Sequence, residues 1–196
     1  MVLRTMFTAS ILTLFAILLM MQVGCNKSEK PAMTKAEMQV RGAYLVNLGG
    51  CNHCHSPKVF TDMGPIPDTT RLLSGHPSES KLPIFDAAMV EPGKWYLTSG
   101  DLTAWVGPWG ISYPANLTPD GSTGLGTWTD EIFIKAMRTG KHMGVGRPIM
   151  PPMPWNDIGK LNDEDLKAIF AYFQSLPPVH NQVPDWVNPG QLKAMK

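Results

Sequence analysis

Residues 49–58 read GGCNHCHSPK. Two cysteines three apart, Cys51 and Cys54, are followed at once by His55, and the chain holds one other cysteine, Cys25. Thiols at this spacing close a disulfide, hold zinc, or bond covalently to a cofactor. A structural zinc site closes with four ligands, as a rule in two pairs of recognisable spacing. The chain has no second C-x-x-C, and its remaining histidines His76, His142 and His180 are scattered. A thioredoxin-type pair sits at the strand-to-helix junction of a βαβ unit, and the flanks here do not read that way.

C-x-x-C-H is the attachment signature of a c-type haem, and its spacing follows from the chemistry. Two thiols one helical turn apart each reach a vinyl group of the macrocycle and form thioethers. The adjacent histidine then offers its imidazole to the iron. The reading is therefore one covalent haem c, held by Cys51 and Cys54 with His55 as the proximal ligand. His53, inside the motif, reads as a solvent-facing spacer. A single motif means a single haem.

The N-terminus agrees with this chemistry, because thioether attachment takes place outside the cytoplasm. Arg4 is followed by the apolar run MFTASILTLFAILLMM and then QVGC at 22–25. A basic start, a short apolar core and small residues at the cut make an export signal over 1–24. VGC resembles a bacterial lipobox, which implies a lipid-modified Cys25 and a domain outside the cytoplasm, tethered to the periplasmic face of a bacterial membrane. An uncleaved anchor and plain secretion are the alternatives. Residues 25–34, polar and proline-containing, read as a flexible tether. The remaining divisions are a main domain at 35–180, with an insertion at about 57–126, and a C-terminal extension at 181–196. The 196 residues, 43% hydrophobic and 17% charged, suit one globular domain. Removing 1–24 takes Arg4 and no acid, so the formal charge falls from +1 to zero. That balance offers no nucleic-acid footprint.

Three helices are legible. Thr34 and Glu37 form a capping box, and Ala36, Val40, Ala43, Tyr44 and Leu48 fall on one face before Gly49-Gly50. A second helix starts after Thr129, with Asp130 and Glu131 in its first turn, an inward stripe of Ile132, Phe133, Ala136 and Met137, and a stop at Gly140. The third follows Asn162, turns Leu166, Ile169, Phe170 and Phe173 inward, and cannot pass Pro177-Pro178. Residues 57–126 carry half of the chain's prolines and half of its glycines, with Phe85, Trp95, Tyr96, Trp105, Trp109 and Tyr113. A structureless loop of that length is out of place in a compact domain. KWYLTSGDLTAWV reads as a hairpin turning at Ser99-Gly100, so the insertion is expected to be a β-containing flap over part of the haem.

The sixth iron position separates an electron carrier from a reactive site. GVGRPIMPPMPWND, between the second and third helices, offers Met150 and Met153 on a loop stiffened by four prolines. His76, His142 and His180 are the other candidates, and an empty position is the last. Arg147 and Trp155 flank the loop and are candidate donors to haem propionates.

The order of a helix before C-x-x-C-H, a middle helix and a C-terminal amphipathic helix resembles class I cytochromes c. In that family a glycine and an aromatic of the first helix meet an aromatic of the last, which implies a contact among Gly42, Tyr44 and Tyr172 or Phe173. ANLTPDGSTGLGTWTDEIFIKAMRTGKH, MPPMPW and LNDEDLKAIFAYFQSLPPV are similar to the cytochromes that include the cytochrome subunits of membrane-bound alcohol dehydrogenases. The similarity runs from about Ala36 to Val179 and is best from Asn116 onward. There the iron ligand is the methionine of an M-P-[YW] step, which implies Met153, with Met150 as the second candidate. The expected fold is mainly α: a class I cytochrome c helical fold around one covalent haem, with the Pro/Gly/Trp-rich insertion.

The expected function is one-electron transfer between membrane or periplasmic partners, such as a dehydrogenase, a quinol-oxidising complex or a terminal oxidase. The chain itself would perform no bond chemistry. The alternatives are a haem enzyme or gas or peroxide sensor with a labile sixth ligand, and a haem subunit of a larger dehydrogenase or oxidase complex.

Overall fold

The computed structural model describes residues 31–194, so the export segment 1–24, Cys25 and most of the tether lie outside the described residues. Helix α1 (Lys35–Leu48) starts where the sequence places it. Thr34 Oγ1 accepts from the Glu37 amide at 3.3 Å, and Glu37 Oε2 accepts from the Thr34 amide at 2.8 Å, so two otherwise unpaired donors are satisfied. After Gly50, in the left-handed conformation, the one-turn helix α2 (Cys51–His55) carries the cysteine motif.

Helix α3 (Asp130–Thr139) is capped by Thr129 and ends on Gly140 at φ +64°, while the short α4 (Trp155–Ile158) follows the methionine loop. Helix α5 (Asp163–Phe173) is capped by Asn162, whose side chain accepts from the Asp165 amide at 2.7 Å. The expected inward residues of α5 are all buried, as are Phe133, Ala136 and Met137 of α3. With Val46 of α1 and with Leu73 and Leu125 from the insertion they form the main core. Phe133 stacks on Phe170 at 5.6 Å.

The buried face of α1 differs from the expected one. Val40, Tyr44 and Leu48 are 73%, 57% and 70% exposed, whereas Gly42 and Val46 are buried against α5. Backbone proximity decides the orientation. A Cβ on Gly42 would lie 2.0 Å from the Ala168 carbonyl oxygen and 2.7 Å from the Tyr172 Cβ. Only a residue without a side chain lets the two helices approach so closely, and that seam outweighs the apolar stripe opposite. Gly42 and Tyr172 thus make the expected glycine–aromatic contact. Tyr44 does not; it lies on the outer side beneath the Arg41 guanidinium, 5.6 Å from its ring centre.

The insertion folds into two small antiparallel sheets, so the architecture is helical with β additions. Strand β1 (Lys58–Thr61) pairs with β2 (Gly64–Pro67), and β3 (Leu97–Thr98), β4 (Trp105–Gly107) and β5 (Gly110–Ser112) form a meander. The expected hairpin is present: Leu97 pairs with Val106, and the Ser99 amide bonds the Ala104 carbonyl at 2.9 Å. A second core gathers Val90, Val106 and Ile111 with Leu192 of the C-terminal helix α6 (Pro189–Ala194). Ile111 and Val187 exchange both amide bonds, at 2.8 and 3.0 Å, so the segment beyond 181 fastens β5 from outside. Trp95 and Tyr96 remain exposed.

Candidate functional site

The single turn of α2 places Cys51 and Cys54 three residues apart, one turn of helix, and buries His55 at its end. Its last carbonyls need partners, and Lys58 supplies them. The ammonium bonds the carbonyls of Asn52 at 3.2 Å and His53 at 2.9 Å, and also that of Ser56. A cation at a helix C-terminus is favourable for the same reason. His53 is exposed, in keeping with a spacer. Burial pushes both cysteine thiols above their usual pKa.

The decisive contact reaches 60 residues along the chain. His55 Nδ1 lies 2.8 Å from the Ala115 carbonyl oxygen. A carbonyl only accepts, so Nδ1 carries the proton and Nε2 keeps its lone pair. Burial lowers the imidazole's pKa despite that hydrogen bond, which favours the neutral ring. A neutral imidazole, oriented by a backbone acceptor on its far nitrogen, is the form a metal takes as ligand. The donor set therefore fits an iron macrocycle beside α2. Among the described residues no three His, Cys, Asp or Glu side chains converge on one point.

The insertion does much of the positioning. The Gly75 amide bonds the His55 carbonyl at 2.7 Å, and the Ser56 hydroxyl accepts from the Leu73 amide at 2.8 Å. Gly75, at φ +84°, is wedged so closely that a Cβ would lie 2.7 Å from the Pro114 carbonyl oxygen. On the methionine loop, Met153 packs against the same core cluster as Cys51, together with Ile149. The Pro151 carbonyl accepts from the Ser112 hydroxyl at 2.5 Å.

The other candidate ligands have different surroundings. His76 is buried beside Tyr113, ring centres 4.8 Å apart, with Nδ1 2.8 Å from the Thr103 hydroxyl. That hydroxyl donates to Asp101 at 2.6 Å, so it accepts from His76. His142 packs edge-on against Trp128, and His180 lies exposed beside Asp120. Arg147 is exposed, while Trp155 lays its ring over Gly140. Ala115, Ser112, Gly75 and Lys58 escaped the sequence reading. Three of them act through backbone geometry or a distant partner, and the fourth, Lys58, shows only as a lysine just past a short helix.

No family model matches the chain. Curated proteins do match. The chain is 33% identical over 115 residues to a nicotinate dehydrogenase subunit of Pseudomonas putida, covering 51% of this chain and 10% of that one. It is 31% identical over 133 residues to the gluconate 2-dehydrogenase cytochrome c subunit of Pantoea cypripedii, covering 68% and 22%. Against the cytochrome c subunit of the quinone alcohol dehydrogenase of Gluconobacter oxydans it is 38% identical over 81 residues, covering 40% and 17%. The chain thus spans less than a quarter of the length of each of these relatives.

Proposed function

With the chain a homologue of the cytochrome c subunits of alcohol, gluconate and fructose dehydrogenases, we propose that it is an exported, single-haem electron carrier. Cys51 and Cys54 hold the haem by thioethers, His55 is the proximal ligand and Met153 the distal one. When bound, haem c supplies a one-electron couple between ferric and ferrous iron. The protein's share is to fix the ligands, exclude water and present the site to a partner; it makes and breaks no substrate bond. A lipid on Cys25 would keep it at the periplasmic face of a bacterial membrane, where a dehydrogenase, a quinol-oxidising complex or a terminal oxidase is the redox partner. The hydrogen bond from His55 Nδ1 to Ala115 carries this reading, because it assigns the proton of the neutral ring to Nδ1 and leaves the Nε2 lone pair for the iron, while burial favours that neutral ring. A methionine sulfur opposite it raises the potential. The proline-stiffened loop that brings Met153 against the core supports that assignment.

The test is the visible spectrum of exported protein bearing Cys25→Ser, oxidised and reduced. The expected result is a reduced c-type α band and a weak far-red sulfur-to-iron band in the oxidised form. That far-red band should vanish in Met153→Ala and persist in Met150→Ala. A high-spin spectrum that shifts with CO or cyanide would replace the carrier with a reactive haem protein.

A second reading, a haem subunit docked on a larger dehydrogenase, is favoured by the surface. The β1–β2 hairpin shows Val59, Phe60 and Ile66 to solvent, with Met63 96% exposed at its tip. Isolated two-stranded ribbons are marginal in water, and one with apolar residues on both faces suits burial against a partner. Sedimentation of the pure protein separates the readings: concentration-dependent association supports the docked subunit, and a strict monomer supports the shuttle.

A further inference from the structure

Residues Ser112–Ala115 touch both segments that carry the expected axial ligands. At one end the Ser112 hydroxyl donates to the Pro151 carbonyl, two residues before Met153. At the other, the Ala115 carbonyl accepts from His55. The stretch between them is pinned: Pro114 O accepts from the His76 amide at 3.1 Å, and the Tyr113 ring packs on His76. Outside it, Ile111 is locked to Val187.

The Ser112 hydroxyl is itself oriented. Trp109 Nε1 donates to its oxygen at 3.2 Å, which directs its proton toward Pro151. Trp109 is fixed in turn, since its carbonyl accepts from Trp186 Nε1 at 2.8 Å. Ser112 is buried, so water competes poorly for these bonds. The main core grips the methionine loop through Met153 and Ile149, and the hydroxyl adds a directional anchor at the loop's midpoint.

We infer that Ser112 is a positioning residue for the distal ligand: its bond to Pro151 O holds the methionine loop at a fixed distance from the segment that orients His55. The inference rests on Met153 being the distal ligand. Without the hydroxyl the loop swings away more easily, and an added ligand replaces the sulfur more readily.

The experiment uses the full chain carrying haem. Oxidised protein is titrated with imidazole while the far-red band is followed, and the thermal unfolding midpoint is measured alongside. Ser112→Ala should bind imidazole about five- to tenfold more tightly than the native protein, the effect of one lost anchoring hydrogen bond. Ser112→Thr, which keeps the hydroxyl, should restore native affinity. Trp109→Phe, which removes only the orienting N–H, should move affinity the same way by less. Ser112→Ala with native imidazole affinity, whatever its unfolding midpoint, overturns the inference. If that variant does not accumulate, native affinity in Trp109→Phe overturns it. A native protein without the far-red band defeats the methionine assignment itself and this inference with it, and that failure shows before any variant is made.

Discussion

Gly42 and His76 are two residues whose environments set opposite demands. Gly42→Ala would gain about 1 kcal/mol of intrinsic helix preference. Its new Cβ would meet the Ala168 carbonyl oxygen at 2.0 Å, however, and a backbone atom cannot step aside. Overpacking against such a wall costs more than the propensity returns, so denaturant unfolding should show a net loss of about 2 kcal/mol. His76 is a matter of charge. Burial lowers its pKa below the usual imidazole value, and the nearby carboxylates of Asp101 and Glu79 only partly oppose that. The unfolded chain therefore takes up a proton near pH 6.5 while the folded chain does so only at lower pH. Stability should rise with pH between the folded and the unfolded pKa, by at most about 1.4 kcal/mol per pH unit, and be lost as pH falls through that window. Urea unfolding of the haem-bound protein at pH 7 and pH 5 checks this, and His76→Gln should flatten the slope. Neither the seam nor the buried histidine was legible from residue type alone. The Gly42 contact came only through the resemblance, and the setting of His76 depends on Thr103 and Tyr113, which lie well along the chain.

Among the elements, helix starts were the most legible feature, because a cap is a local arrangement between neighbours: Thr34, Thr129 and Asn162 each bond an amide within three residues. Helix faces were legible for α3 and α5, where burial follows the apolar stripe. For α1 the stripe misled, since the close approach at Gly42 rather than the count of apolar side chains turned the helix. The rotation is testable. Val40→Lys and Tyr44→Ser should each change unfolding free energy by no more than about 0.5 kcal/mol, while Val46→Ala, at 0% exposure, should cost about 2 kcal/mol. Equal effects at the three positions would restore the original face. The one-turn spacing of Cys51 and Cys54 was legible, because residues three apart stand one helical turn from each other. The acceptor for His55 was not, because Ala115 contributes a carbonyl that every residue owns.

At the scale of the molecule, the described residues form two cores, and the smaller depends on the C-terminal segment. Val90, Val106 and Ile111 are closed over by Leu192, and the Trp186 indole bonds Trp109. Deleting 183–196 should open this core while leaving the α1–α3–α5 core in place. Limited proteolysis should then cut within 82–107 at least about tenfold faster, as expected of a cooperative unit that has lost its cover, with far-UV circular dichroism little changed. Unchanged cleavage would mean that the sheet stands without its C-terminal cover. The insertion's presence and its hairpin were readable from turn residues and aromatics; its docking was not, since bonds such as Ser78 to Asn181 and Ser112 to Pro151 join residues far apart in sequence. The brace at Ser112–Ala115 also limits how the molecule can be dismantled. An engineer seeking the smallest haem-carrying unit would be tempted to splice α2 directly to α3 and discard 57–126 as decoration. That splice would delete the acceptor for His55, the amide on its carbonyl and the tie to the methionine loop. In modular terms the three helices are not a self-sufficient cassette, and the segment that looks most dispensable is the one that joins the two sides of the site.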